Sequence, residues 1–158
     1  MAELPLGVAI ISLIDKNKIL LIKRTKGDYV GLWGLLGGKI EKGEHISDTA
    51  VRELLEESGI NAKFVSYLGC ISEHLVENDN VTNHFMLHLC GLKPITTQIK
   101  NQENDLAWFD LDKLKSVKEK IIPSDLLIIE KMIKNRDSSY YNCILEKKED
   151  SYTLKKFE

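Results

Sequence analysis

The chain has 158 residues, 43% of them hydrophobic and 29% charged, with a formal net charge of −2 at pH 7. That length predicts one domain with a proper core, and the near-neutral balance gives no basic field that would recruit nucleic acid. The longest apolar run, residues 8–14, is broken by Ser12 and far too short to span a membrane. The N-terminus has no basic stretch of the secretory kind. Cys70, Cys90 and Cys143 are odd in number and not closely paired, which favours a reduced, cytoplasmic setting.

Residues 7–14 read as a buried strand, 15–18 as a hairpin turn and 19–23 as the returning strand. Residues 25–36 are a loop, because Gly27, Gly31 and Gly34 interrupt any long regular element. A short strand near Lys39 and Ile40 leads to a helix at about 47–58, with Ser47 as its expected N-cap and Asp48 in its first turn. Gly59 follows the last periodic residue and suits a left-handed helix end. Residues 62–73 and 81–92 read as antiparallel strands around a turn at 77–80. A short strand at 106–109, a helical turn at 111–117 and a helix at 124–134 follow. The tail, with apolar positions at 140–145 and 152–157 around a charged turn, reads as a hairpin. An isolated hairpin is marginal in water, so this one should dock on the domain or on a partner subunit, and a homodimer is one outcome. Strands and helices interspersed in this way predict an α/β (α+β) fold, a mixed sheet covered by helices.

Residues 38–60 carry the chemistry. At about 100° per residue, Glu53, Glu56 and Glu57 share one narrow sector of the helix. Val51, Leu54, Leu55 and Ser58 fall on the other side and predict its buried face. Like charges at i,i+3 and i,i+4 weaken a helix, so a cation is the expected partner. Oxygen-only ligands point to Mg²⁺, with Mn²⁺ as the alternative, rather than zinc. Gly37 and Gly38 permit backbone that a side chain would block. A glycine loop beside an acidic helix face suits phosphate plus a divalent metal.

Gly38, Glu44, Arg52, Glu53, Leu54, Glu56, Glu57, Gly59 and Ile60 fill every fixed position of a known pattern. The stretch resembles the Nudix box, the signature of the Nudix hydrolases. Residues 20–24, 31–34 and 108–114 resemble the flanks found in the MutT-like branch, so the likeness covers roughly 6–134. Leu36 and Lys42 depart from prolines common in that loop. The resemblance implies a Nudix-type mixed sheet with helices on both faces, spanning residues 1–137, and a hairpin extension at 138–158. It implies Mg²⁺-dependent hydrolysis of a nucleoside diphosphate linked to another group, with a nucleoside triphosphate as the leading substrate. Other Nudix substrates, such as a nucleotide sugar or an RNA 5′ end, and a non-catalytic nucleotide sensor are the alternatives. The chain lacks the proline that ADP-ribose enzymes carry beyond the box.

By the same resemblance, Glu53, Glu56, Glu57 and the Gly37 carbonyl are candidate metal ligands, and Glu53 or Glu103 the catalytic base. Arg24, Trp33, Gly38, Lys39 and Asp125 are candidate substrate contacts, with Asp125 reading the base. Trp33 packing under the loop and Asp125 merely starting a helix are the alternatives. Arg52 is expected to orient a box glutamate, and Glu44 to be either an auxiliary ligand or a loop brace. His84 and His88, four apart on a strand, do not predict a zinc site. His45 and His74 are expected at the surface or in loops.

Overall fold

The computed structural model describes residues 3–101 and 103–158. Strand β1 (Leu6–Asp15) turns back through Lys16 and Asn17, both at positive φ, into β2 (Lys18–Lys23). Two left-handed residues match the right-handed twist of the flanking strands, which is why two-residue hairpins choose this turn. The short strand β3 (Trp33–Gly34) lies inside the segment expected to be loop, β4 (Gly37–Lys39) falls close to the short strand expected near Lys39 and Ile40, and α1 (Ile46–Ser58) follows. β5 (Ala62–Glu77) and β6 (Asn80–Pro94) form a long antiparallel hairpin. Its turn again uses two left-handed residues, Asn78 and Asp79.

β7 (Leu106–Asp110) precedes a 3-10 turn (Leu114–Lys120). The single helix expected at 124–134 is a short α2 (Pro123–Ile128) that widens into a π-type turn (Ile129–Lys134). β8 (Tyr140–Lys148) and β9 (Ser151–Phe157) close the chain.

The strands form one mixed sheet in the order β3-β2-β1-β6-β5-β8-β9, with β4 added to β1 and β7 to β2. β1 runs parallel to β6, and β8 runs parallel to β5. Each face is covered by a helix. On one side Ala50 and Leu54 of α1 pack with Ala9, Ile11, Leu13 and Cys90. On the other, Ile128, Ile129 and Met132 pack with Ile71, Leu75, Leu89 and Leu145. This is the mixed sheet covered by helices that the pattern of elements predicts, with helices on both faces as the resemblance implies. Among the described residues, no helix is long and apolar enough to cross a membrane.

Two expectations about α1 need correction. His45, not Ser47, takes the extended N-cap backbone, and no side chain caps the helix start. The reach of Glu44 decides this: it accepts the Thr49 hydroxyl at 2.7 Å and so ties the preceding loop to the first turn. Leu55 is 45% exposed, whereas Ala50, Leu54 and Ser58 are buried. The sheet meets α1 along a stripe too narrow to include residue 55.

Candidate active site

β4 lies against β1 so closely that a Cβ on Gly37 would strike the Ala9 carbonyl. A Cβ on Gly38 would strike the Glu53 carboxylate. The two glycines are therefore needed for space: they let the acidic face of α1 come down onto the strand. Glu57 Oε1 accepts the Gly37 N–H at 3.0 Å. Burial raises the Glu57 carboxyl to about 7, against the opposing pull of that hydrogen bond. Burial also raises Glu53, with Arg52 holding it partly down.

Arg52 organises the rest. Its Nε and Nη2 donate to the two Glu44 oxygens at 2.7 and 2.9 Å, a bidentate fork. Its Nη1 donates to Glu53 Oε1 at 2.9 Å and to Glu56 Oε2 at 3.2 Å. Nη2 also reaches the Lys39 carbonyl at 3.3 Å. Hydrogen bonds from Arg52, then from Thr49, hold Glu44 down at about 2. Glu44 thus braces the loop, and Arg52 orients Glu53 from beneath.

The C-terminal end of α1 is covered by a loop. Gly59 takes φ 76 and donates to the Leu55 carbonyl. Asn101 Nδ2 donates to the Glu56 carbonyl at 2.8 Å, and Asn104 Nδ2 to the Glu57 carbonyl at 3.0 Å. Both carbonyls belong to the unpaired set that every helix end leaves. Asn101 Oδ1 in turn accepts the Glu103 N–H, so Glu103 sits on a loop pinned to the acidic helix. Neither asparagine carries a signal in the sequence, since the bond forms between segments about 45 residues apart.

A cleft of about 150 Å³ opens beside these groups, lined by Arg24, Lys26, Leu35, Gly37, Glu57 and Asn104 among others. Arg24 is exposed at its rim, and Lys39 is exposed on β4. Trp33 does not line this cleft. It packs edge-on against Phe109 with ring centroids 5.1 Å apart. Asp125 lies on the sheet side of α2, and its Oδ2 accepts the Leu35 N–H at 2.9 Å. It does not cap its own helix. Burial raises its carboxyl to about 6.

Glu73 is the group that sequence reasoning missed. It is 5% exposed on β5, and burial raises its carboxyl to about 7, helped by the charge of Asp125. Cys143 Sγ donates to it at 3.8 Å. The Tyr29 hydroxyl is also buried and has no hydrogen-bond partner among the described residues, while the buried Ser124 hydroxyl lies near enough to Glu73 to hold its carboxyl partly down. The signal was present: Ile71, Glu73 and Leu75 alternate inward, so a carboxylate sits at a core position. His74 lies within β5 rather than in a loop, edge-on to His84. His84 and His88 contact Ser72 and Tyr67.

Among the described residues, no three His, Cys, Asp or Glu side chains converge on one point at ligand distance. With Arg52 drawing Glu53 and Glu56 towards itself, the carboxylates are spread along the helix. Their chemistry nonetheless fits a hard divalent cation. The donors are all oxygens, and the burial and mutual repulsion that raise Glu53 and Glu57 are what a nearby positive charge would offset.

The profile of the NUDIX domain matches residues 3–131, and the chain belongs to that family. It is 35% identical over 114 residues to Nudix hydrolase 6 of Arabidopsis thaliana, covering 68% of this chain and 40% of that protein. It is 30% identical over 106 residues to the oxidized purine nucleoside triphosphate hydrolase of Mus musculus, covering 66% of each chain. It is 35% identical over 122 residues to the ADP-ribose pyrophosphatase of Methanocaldococcus jannaschii, covering 73% of this chain and 70% of that one. The chain thus spans between two fifths and about two thirds of the length of the first two of these relatives. Among solved structures, a MutT protein from Bacillus halodurans superposes with a TM-score of 0.71 at 24% identity, covering 94% of this chain and 97% of that one. A MutT protein from Methanosarcina mazei Go1 gives 0.67 at 18% identity, covering 87% and 100%. These likenesses establish the fold.

Proposed function

We propose that the chain is a pyrophosphohydrolase acting on a nucleoside diphosphate linked to another group, with a nucleoside triphosphate as the leading substrate and a nucleoside monophosphate and pyrophosphate as products. The observation that carries this reading is the seating of Glu53 and Glu57 against Gly38 and Gly37, with Arg52 bracing the helix face. Glu53, Glu56, Glu57 and the Gly37 carbonyl would hold Mg²⁺ or Mn²⁺. That ion supplies neutralisation of pyrophosphate charge and activation of water.

The chain's own groups do the rest. Glu53 has its Oε1 engaged by Arg52, which leaves Oε2 to take the proton of the attacking water; Glu103, on its pinned loop, is the other candidate base. The water oxygen bonds to one phosphorus of the α,β-anhydride, the bridging P–O bond breaks, and the leaving pyrophosphate or nucleotide keeps the electron pair on its oxygen. Arg24 and Lys39, both exposed, would meet phosphate oxygens in this reading, and Gly38 would let them approach. Asp125 would read the base through Oδ1, because Oδ2 is already held by Leu35. Trp33 supports the loop from its packing position on Phe109.

Residues 1–137 form the hydrolase domain in this reading, and 138–158 an extension that docks on it. The three unpaired cysteines support a reduced, cytoplasmic setting. The archaeal relative favours a nucleoside diphosphate sugar as the second reading. A panel of nucleoside triphosphates, nucleoside diphosphate sugars and RNA 5′ ends, each with Mg²⁺ and Mn²⁺, tests this. Pyrophosphate release from a triphosphate is expected. Failure to turn over any member of the panel would overturn the hydrolase reading in favour of a nucleotide sensor.

A further inference from the structure

The loop between β2 and β3 is built on unusual backbone. Gly27 and Gly31 take φ 73 and 88, and between them Tyr29, a bulky residue, takes φ 64. Such a conformation persists only where the surroundings hold it. The surroundings here come from the far end of the chain. The Tyr152 hydroxyl of β9 accepts the Tyr29 N–H at 3.0 Å and donates to Asp28 Oδ1 at 3.1 Å. Lys147 Nζ of β8 donates to the same Asp28 oxygen at 3.1 Å. The Tyr29 and Tyr152 rings lie 4.4 Å apart. Asp28 raises the affinity of the Lys147 ammonium for its proton, chiefly through that hydrogen bond. The Tyr29 ring itself is buried.

The held loop ends on Arg24. The Asp28 carbonyl accepts Arg24 Nε at 3.3 Å. The Arg24 main chain is closed onto the loop's other limb, donating to Leu32 at 2.9 Å and accepting from Gly31 at 2.8 Å. Arg24 stands exposed at the rim of the cleft that contains Gly37 and Glu57. A long exposed arginine has many rotamers. Fixing its Nε cuts those down and presents the rest of the guanidinium to an anion.

We propose that Tyr152 and Lys147 of the C-terminal hairpin are positioning residues for substrate: by clasping Asp28 they fix the loop that aims Arg24 at the substrate's phosphate groups. This rests on the pyrophosphohydrolase reading for the identity of the substrate but not for the clasp. The hairpin would then be part of the binding machinery and not only sheet cover.

The test uses the full chain with Mg²⁺ and inorganic tripolyphosphate as a base-free probe, its affinity measured by calorimetry. Steady-state kinetics follow with whichever panel nucleotide the wild type turns over fastest. Tyr152→Phe removes one hydroxyl and keeps the ring. It should weaken tripolyphosphate binding about tenfold and raise KM by a similar factor, with kcat held within about twofold. Lys147→Ala should act in the same direction, and Lys147→Arg should restore binding. Unchanged tripolyphosphate affinity in Tyr152→Phe, with or without a lower melting temperature, would leave the hairpin a purely structural element and overturn the proposal. A wild type that binds no tripolyphosphate overturns it too, since Arg24 then meets no phosphate. A wild type that turns over no nucleotide removes the hydrolase reading alone, because the tripolyphosphate affinities still decide the clasp.

Discussion

Glu57 accepts the Gly37 N–H at 3.0 Å, across a gap of 20 residues, and so joins the acidic face of α1 to the glycine strand β4. This bond orients one Glu57 oxygen towards the strand while burial keeps its carboxyl near 7. A half-buried carboxylate with so high a proton affinity is poorly placed for stability alone. It is well placed beside a bound cation and a phosphate chain.

Replacing Glu57 by Gln should therefore keep the fold and lower kcat by about two or more orders of magnitude, as loss of preorganised charge in a reacting site does. Without metal the melting temperature should hold or rise, because a like charge has left the cluster. Full Mg²⁺-dependent activity in Glu57→Gln would count against the metal assignment.

Arg52→Lys keeps the charge but loses the fork to Glu44. The expected outcome is a drop in kcat of about tenfold or more, since Glu53 is then held by a single flexible ammonium. The acid side gives a second check. Glu44 is depressed in the folded state, so its contribution to stability is present above its ordinary value and lost as pH falls towards about 2. Arg52→Lys should shift the acid unfolding midpoint upward, which circular dichroism across a pH series would read.

Glu73 gives the opposite pH sign. Its carboxyl is raised to about 7 by burial, so folding favours its protonated form. The stability it contributes is complete below its unfolded value and declines as pH rises through about 7. Asp125, raised to about 6, adds in the same direction over a slightly lower window. Thermal melts should show the protein losing stability between roughly pH 4 and 7. Glu73→Gln should flatten that slope and raise Tm at pH 8 by roughly 3–6 °C. An identical slope in wild type and mutant would show that Glu73 does not titrate in this range.

Asp125 can be separated into two roles. Asp125→Ala strands the Leu35 N–H and should cost about 1–3 kcal/mol of stability. Asp125→Asn retains an acceptor oxygen for Leu35 but replaces the carboxylate that accepts from guanine N1–H and its 2-amino group. Guanine nucleotides are expected to be favoured over uracil nucleotides by the wild type, with Asp125→Asn compressing that preference about tenfold. An unaltered ranking of bases would place base reading elsewhere.

Truncation after Asp137 would uncover β5 along its pairing with β8 and expose Leu75, Ile71 and Met132, all now buried. It also removes Cys143 and Leu145, which are 1% and 0% exposed. The truncated chain should lose its cooperative thermal transition or aggregate. A soluble fragment with the full-length Tm would show that the hairpin carries no part of the core.

The acidic face of α1 was legible in the sequence because it is local: residues at i, i+3 and i+4 must share a sector whatever surrounds them. The turns at Lys16–Asn17 and Asn78–Asp79 were equally local, as was the left-handed end at Gly59. Glycine at 37 and 38 pointed to close approach without naming its partner, and only the fold supplies Ala9 and Glu53. The exposure of Leu55 could not be read from periodicity, since the width of the covering sheet sets where burial stops.

Contacts of long sequence separation were out of reach for the same reason. Glu73 meets Cys143 and feels the charge of Asp125 only because β8 pairs in parallel with β5 and α2 packs against the C-terminal hairpin. Tyr152 meets Asp28 across 124 residues only because the last hairpin folds back over the β2–β3 loop. Alternation along a strand says which side chains turn inward, but strand order and register decide whom they meet there. Those are settled by packing the two apolar faces of the whole sheet at once, and no segment of this chain carries that information alone.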